Sequence, residues 1–402
     1  MGAIGIQDEQ TFIDPEITFF RTVVPRHTHF VLQPHTYEFS GNADWGKTFS
    51  AELERHGDLL ARLWLVVELG ELDGGAGGAR YTDDVGRAML EKVELKSGGV
   101  VYNELQPEWM HAEEELDRLS EQQLGLVTGK TSSVAQLTTV AARHQQLYVP
   151  LTFYFSKDYG AALPLIATHL SRFHCTVKLK AKAAVIVTTG GAYTVTAADA
   201  ELVTIELRAE LVFLSDDERN WFGTNPHKYV IEQVQDNGVE SLAANATSKD
   251  VELDFNHPTK CLYVMQRPAL VENQTSTSAY AYFDWSGSET GRFSNEAFLS
   301  MRLRLNGSNH ADAQDPLWYR VCMPHAHFKR IPDKHVYPYP FSLHPLSEYG
   351  STGVLNMSKV DSARLSFTYT AATAVASDIL VYAQSLNVLT IENGQAQLRY
   401  AS

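Results

Sequence analysis

Cysteine is scarce in this sequence, and its few copies are widely spaced. The 402 residues include only three cysteines, Cys175, Cys261 and Cys322, and no two of them form a CxxC pair. An odd number of distant cysteines does not provide the disulfide framework of a stapled secreted protein. We therefore expect all three to be core residues of a protein that folds in a reducing compartment.

Positive charge and long apolar runs are lacking as well. The chain carries 33 basic against 48 acidic residues, a formal net charge of −15, which disfavours direct binding to the phosphate backbone of nucleic acid. No stretch approaches about 20 consecutive apolar residues, so the sequence predicts no membrane span. The N-terminus has no basic region followed by an apolar core, so it predicts no secretory signal.

Short strands separated by turn residues fill most of the chain. Hairpin turns are predicted at Gly98-Gly99, Asn306-Gly307 and Asn393-Gly394. A chain of 402 residues exceeds one ordinary core and suggests two domains. Each half offers about eight short strands, the number in a jelly roll. The predicted fold class is all-β, with two tandem eight-stranded jelly-roll β-sandwiches and short helices in the loops.

A connector just past the middle divides the two predicted domains. A strand at 211–214 is followed by one short helical turn at 218–222, a break at 223–226 and a new strand from Tyr229. This pattern predicts an N-terminal arm at residues 1–15, a first jelly roll at 16–215, a connector at 216–226 and a second jelly roll at 227–402.

The clearest helix of the first half is predicted at 107–119, with a proline near its start. It contains three consecutive acids, Glu113, Glu114 and Glu115. Consecutive residues point in different directions around a helix, so we expect a solvated helix face and no acid chemistry. Asp83-Asp84 and Asp216-Asp217 are likewise interpreted as helix caps or turn acids.

Fifteen histidines raise the possibility of a metal site. His27-x-His29 and His325-x-His327 would each place two imidazoles on one face of a strand. The motif of cupin-type jelly-roll enzymes fails at the first pair, because Arg21 occupies its glycine position and no carboxylate follows. Lys329 and Arg330 would repel a cation beside the second pair. We interpret these histidines as surface or interface residues and predict no catalytic, cofactor-binding or metal-binding residue.

An irregular passage near residues 317–346 is rich in aromatic residues, proline and histidine. Its rings include Trp318, Tyr319 and Tyr337. They would fit a subunit interface, where such rings can be buried, or core packing beneath the second sandwich. The sequence leaves both interpretations open.

Several short motifs resemble, in collinear order, the major capsid proteins of nucleocytoplasmic large DNA viruses of the iridovirus and phycodnavirus type. The motifs are Asp14-Pro15-Glu16-Ile17-Thr18-Phe19-Phe20, Ala162-Leu163-Pro164-Leu165-Ile166-Ala167, Asp217-Glu218-Arg219, Phe255-Asn256-His257-Pro258 and Tyr337-Pro338-Tyr339-Pro340-Phe341-Ser342-Leu343. The sequence departs from the family at Glu348-Tyr349-Gly350, where a Gln-Pro-Ser-Gly turn is usual.

The resemblance implies a structural protein without enzymatic activity. Three copies would form a pseudo-hexagonal capsomer, and neighbouring capsomers would tile an icosahedral shell assembled in the host cytoplasm. It implies minor capsid proteins and an internal viral membrane as inward partners of the N-terminal arm, and no direct contact with nucleic acid. Tall loops from one end would face outward, and the glycine-rich segments at 73–78 and 188–191 are candidates for such loops. The alternatives are a minor capsid or spike paralogue that binds carbohydrate during attachment, and a cupin-like metalloenzyme.

Overall fold

The structure is a computed structural model. The structure describes residues 26–72, 79–117, 127–130, 143–188, 200–268, 296–347, 350–370 and 376–400, and single positions at 18, 20, 22, 125, 282, 283 and 285. The predicted arm at 1–15 and the predicted outward loop at 73–78 lie outside these residues. Of the second predicted loop, only Thr188, the end of a strand, is described.

Eleven strands are described in the first half. They are β1 (Phe30–Tyr37), β2 (Thr48–Glu52), β3 (Leu59–Leu69), β4 (Ala79–Tyr81), β5 (Leu90–Ser97), β6 (Val100–Leu105), β7 (Gln145–Leu151), β8 (Leu163–Pro164), β9 (Phe173–Leu179), β10 (Ile186–Thr188) and β11 (Leu202–Leu214).

Ten strands are described in the second half. They are β12 (His227–Leu242), β13 (Ser248–Leu253), β14 (Pro258–Pro268), β15 (Ser300–Leu305), β16 (Ser308–Asn309), β17 (Val336–Pro340), β18 (Leu355–Asn356), β19 (Ala363–Thr368), β20 (Ser377–Glu392) and β21 (Gln395–Leu398).

Both halves arrange eight strands in the same order. The first half has sheets β1-β11-β3-β7 and β2-β9-β5-β6, and the second has β12-β20-β14-β17 and β13-β19-β15-β16. If β4, β8, β10, β18 and β21 are set aside, each half orders its strands 1-8-3-6 in one sheet and 2-7-4-5 in the other. This is the jelly-roll arrangement of two facing antiparallel sheets. The predicted fold class is confirmed, and we call the two halves the first and second roll.

The predicted hairpin turns are confirmed by backbone geometry. Asn306 and Gly307 have φ values of 50° and 78°, and Asn393 and Gly394 have 51° and 81°. Two successive positive φ values produce the turn whose twist matches that of the flanking strands, and asparagine and glycine tolerate that conformation best. The sequence alone predicts these turns because the positive φ values depend on the turn residues themselves.

Four α-helices are described between these strands. They are α1 (Val85–Ala88), α2 (Pro107–Asp117), α3 (Asp216–Thr224) and α4 (Met323–His327). Helix α3 joins β11 to β12, where the connector was predicted. It is longer than the single turn expected and includes Gly223. Arg219 Nε lies 3.1 Å from Asp58 Oδ2, which also accepts a hydrogen bond from the Leu214 amide, so α3 is fixed to the first roll.

One hydrophobic core extends through both rolls. It contains Leu65 and Trp109 of the first roll together with Tyr263 and Met265 of β14. The alternating β14 residues Leu262 and Val264 belong instead to a second core inside the second roll. Successive side chains of a strand point to opposite faces, so β14 is buried on both faces.

The passage at 317–346 is more regular than predicted. It contains a π-helical turn at Trp318–Cys322, helix α4 and strand β17. Tyr319 and Tyr337 are buried in the core of the second roll, whereas Trp318 is 41 % exposed. Core packing is therefore confirmed for Tyr319 and Tyr337, and the subunit-interface interpretation stays a prediction for Trp318.

Candidate functional site

Helix α2 lies between the two rolls and is buried almost completely. Its residues from Pro107 to Leu116 are all buried. The expectation that Glu113, Glu114 and Glu115 form a solvated helix face is therefore wrong. Each of these carboxylates forms an ion pair with a different basic side chain. Burial of the unpaired charges would be very costly, so the pairing permits this helix to lie between the rolls. We call this contact region between the two rolls the joint.

Glu113 takes part in an ion-pair chain that crosses from one roll to the other. Lys157 Nζ lies 2.6 Å from Glu113 Oε1 and 2.9 Å from Glu232 Oε2 on β12. Glu232 also pairs with Lys260 on β14. Burial alone would raise the pKa of Glu232, but the two lysines outweigh it and lower the pKa to about 2. The carboxylate therefore stays ionised at the joint.

The other two acids are paired within the first roll. Glu114 pairs with Arg87 of α1, whose Nη1 also lies 2.9 Å from Asp84 Oδ2. Asp84 has φ 53° and is the N-cap residue of α1, as its interpretation as a cap predicted, although its side chain makes no capping hydrogen bond. Glu115 pairs with Lys130. Arg87 holds the pKa of the buried Asp84 carboxyl well below its usual range.

His111 is fully buried at the centre of this cluster. Its Nδ1 lies 2.7 Å from Asp84 Oδ2, and its ring stacks on Phe283 with centroids 4.1 Å apart. Burial, assisted by the positive charge of Lys130, lowers the pKa of His111 to about 4. His111 is therefore neutral near pH 7. Phe283 comes from the second roll, so this contact also crosses the joint.

Aromatic packing and hydrogen bonds complete the joint. Trp109 meets Tyr263 edge-on, with ring centroids 4.7 Å apart and an interplanar angle of 80°. The Tyr102 hydroxyl donates a 2.6 Å hydrogen bond to the Ala396 carbonyl in the C-terminal hairpin. Gln233 Nε2 donates a 2.7 Å hydrogen bond to the Tyr102 carbonyl. The rolls are thus joined by apolar burial, ion pairs and hydrogen bonds at once.

The histidine pairs are not arranged as the sequence suggested. His27 and His29 precede β1, and His325 and His327 lie in helix α4, so neither pair occupies one face of a strand. Within the residues that the structure describes, no group of three or more histidine, cysteine, aspartate or glutamate side chains could hold a metal ion. No described helix is long and apolar enough to cross a membrane.

The cysteines are core residues in two of three cases. Cys175 and Cys261 are buried, whereas Cys322 is exposed, so the expectation was wrong for Cys322. It ends the π-helical turn, and its sequence neighbours are apolar. The orientation of that turn was not predictable because it depends on how the second roll packs.

Two exposed apolar segments stand out on different rolls. The start of β1 exposes Phe30, Val31 and Leu32, and the helical segment before α4 exposes Leu317 and Trp318. Isolated exposed apolar residues are ordinary, but adjacent ones mark candidate contact surfaces. Two jelly rolls in tandem, joined through the buried helix α2, define a double jelly-roll protein.

Family models match both rolls. The model described as major capsid protein N-terminus matches residues 18–215, and the model described as large eukaryotic DNA virus major capsid protein matches residues 218–397. Between them they account for nearly the whole chain.

Individual relatives agree with the family models. The chain is 29% identical over 441 residues to the major capsid protein of Paramecium bursaria Chlorella virus 1, which covers 100% of this chain and 98% of the relative. It is 27% identical over 517 residues to the major capsid protein of Phaeocystis pouchetii virus, with the same coverage. A solved PBCV-1 capsid model matches the fold with TM-score 0.81 at 24% identity, covering 96% of this chain and all of that one.

The chain belongs to the major capsid protein family of large eukaryotic DNA viruses. Its function is structural, and its place is the capsid of the virion. The resemblance drawn from the sequence motifs is confirmed. Members of the family named above are capsid proteins, which build shells by associating with one another.

Proposed function

We propose that three copies of this chain associate into a pseudo-hexagonal capsomer, with six rolls around one axis. The observation that supports this proposal best is the joint itself. Helix α2 is buried between the rolls, and the Lys157–Glu232 ion pair and the shared core join them into one block. A block whose two rolls cannot move independently presents fixed surfaces to neighbouring copies, as tiling of a closed shell requires.

The proposed organisation keeps the boundaries expected from the sequence. An arm at 1–15 precedes a first roll at 16–215, a connector at 216–226 and a second roll at 227–402. We assign the arm to inward partners, either minor capsid proteins or an internal membrane, and the segments at 73–78 and 188–191 are candidates for the outward loops. The role is structural throughout, with no catalytic residue, and the net charge of −15 disfavours direct contact with the genome.

Native mass measured by light scattering at several protein concentrations tests the proposal. A stable species of three times the 44.8 kDa chain mass is expected. A protein that remains a monomer at every concentration would contradict it. Deletion of residues 1–15 should leave the trimer intact, because the arm is assigned to inward partners and not to the contacts within the capsomer.

A further inference from the structure

The third strands of the two rolls, β3 and β14, can be matched residue by residue. On β3, Trp64 lies opposite Pro150 of the sixth strand and Arg208 of the eighth. The register between β3 and β11 shifts at two places, and one of them lies between Glu210 and Leu211. These neighbours define the position of Trp64 in the first roll.

Tyr263 has the same neighbours in the second roll. It lies opposite Pro338 of the sixth strand and Tyr382 of the eighth. The register between β14 and β20 shifts once, at the place that matches the shift between Glu210 and Leu211. Trp64 is therefore the counterpart of Tyr263, and Arg208 is the counterpart of Tyr382.

The helical segments after the fifth strands match as well. In the first roll Leu105 lies opposite Val93, and two residues later Pro107 begins α2, which carries Trp109. These positions follow the two-residue turn at Gly98-Gly99.

In the second roll Gln314 bridges Met301, and two residues later Pro316 begins a helical segment that carries Trp318. These positions follow the two-residue turn at Asn306-Gly307. The Pro-x-Trp sequence thus occurs twice, at the same place in each roll. Trp318 is the counterpart of Trp109, and Asp315 is the counterpart of Gln106.

Within one chain, the first helical segment is seated on the sheet of the second roll. Trp109 packs on Tyr263, and the Tyr382 hydroxyl donates a 2.8 Å hydrogen bond to Gln106 Oε1. Both aromatic partners are fully buried, with 1 % exposure for Trp109 and 0 % for Tyr263. The helical segment of the first roll thus packs on the sheet of the second roll with both aromatic rings buried.

Within the part of the chain that the structure describes, the counterparts of these residues make no such contact. Trp318 is 41 % exposed, Asp315 is exposed, and Trp64 and Arg208 are only partly buried on the outer face of their sheet. Each copy therefore exposes one helical segment on the second roll and leaves one sheet face of the first roll only partly covered by the described residues. Because the two surfaces differ, they can join copies head to tail, and such contacts form a ring when the rotation between successive copies closes.

We propose that the helical segment carrying Trp318 packs on the sheet face carrying Trp64 of a second copy, repeating the joint between Trp109 and Tyr263. This inference rests on the proposed trimer and names its contact. Asp315 of one copy then lies close to Arg208 of the next, where the chain itself places Gln106 beside Tyr382. Asp315 and Arg208 occupy the positions of Gln106 and Tyr382 in this contact and carry opposite charges, which favours this pairing over others.

Alanine substitution of each tryptophan tests the contact in the full chain. Trp318→Ala and Trp64→Ala should each weaken trimer formation by about thirtyfold or more, as for a buried aromatic at the centre of an interface. Trp221→Ala is the matched control, because Trp221 is exposed on α3 and takes no part in the contact. It should leave the native mass unchanged.

Three outcomes distinguish a failure of the proposed contact from a failure of the proposed trimer. Loss of the trimer in both variants but not in the control supports the contact. Retention of the trimer in both variants overturns the contact and leaves the trimer standing. A wild-type monomer at every concentration overturns both.

Chemical cross-linking decides the question if a variant fails to fold. In a Cys322→Ser background, Asp315→Cys and Arg208→Cys in one chain should be joined between copies by a short bifunctional maleimide, giving covalent species up to the trimer. Asp315→Cys alone is the control and should give none. Absence of cross-linked species from the double variant overturns the contact.

Discussion

Lys157 of the first roll and Glu232 of the second lie 2.9 Å apart between Nζ and Oε2, at a joint where most neighbouring side chains are buried. Lys157 also pairs with Glu113, and Glu232 with Lys260. The ion pairs therefore form one chain that links α2, β12 and β14. Since each charge depends on its partners, loss of one member should affect both rolls.

We predict that Lys157→Met lowers the free energy of unfolding by about 2 to 4 kcal/mol, because it leaves two largely buried carboxylates without their shared cation. Arg172→Met is the control. Arg172 pairs with Glu52 at 3.2 Å but its side chain is 76% exposed, so a change of less than about 0.5 kcal/mol is expected. Denaturant unfolding of both variants measures the difference, and equal effects would refute the assigned role of Lys157.

Stability should fall as the pH is lowered from about 6.5. The folded state keeps His111 neutral down to a pKa of about 4, whereas the unfolded chain binds a proton near 6.5, so acid favours unfolding over this interval. The loss is on the order of 3 kcal/mol. Below about pH 4.5 the depressed pKa values of Glu115 and Glu232, each about 2, continue the trend.

Denaturant unfolding at a series of pH values checks this dependence. His111→Gln should remove most of the slope between pH 6.5 and 4 and retain the loss below pH 4.5. His325→Gln is the control, because His325 is exposed on α4. An unchanged slope in His111→Gln would show that the buried imidazole is not responsible.

Two helical glycines should respond to alanine with opposite signs. A Cβ at Gly86 would lie 2.7 Å from Val149 Cγ2 and 3.1 Å from the Thr128 carbonyl oxygen, so overpacking should destabilise the protein by about 1 to 3 kcal/mol. Among the described residues, a Cβ at Gly223 would meet only Ile166, at 3.8 Å. There the helix preference for alanine should stabilise by up to about 1 kcal/mol. Thermal unfolding compares the two, and the same sign for both would contradict the packing described.

A thiol reagent should label one cysteine in the native protein. Cys322 is exposed, whereas Cys175 and Cys261 are buried, and burial raises the pKa of the Cys175 thiol to about 12. Mass spectrometry after native labelling should show a single adduct, absent from Cys322→Ser, and three adducts after unfolding. Rapid native labelling of the other two would contradict their burial.

Sequence reasoning succeeded where the determining forces are local. The glycine-containing turns at 98–99, 306–307 and 393–394, the strand count and the helical connector follow from backbone preferences and from period-two alternation. The motif order identified the family, and the fold class followed from strand rhythm. These features need no knowledge of which distant residues meet.

The sequence alone determined two rolls in tandem, because turn chemistry and apolar alternation depend on short stretches of chain, and its motifs implied a structural role through the family that they resemble. Only the tertiary structure decided that the acids of α2 are buried, since Lys157, Arg87 and Lys130 come from segments that α2 meets only after folding. It also decided that Cys322 and Trp318 face outward. Burial of a charge or a ring depends on long-range partners, and local pattern does not specify them.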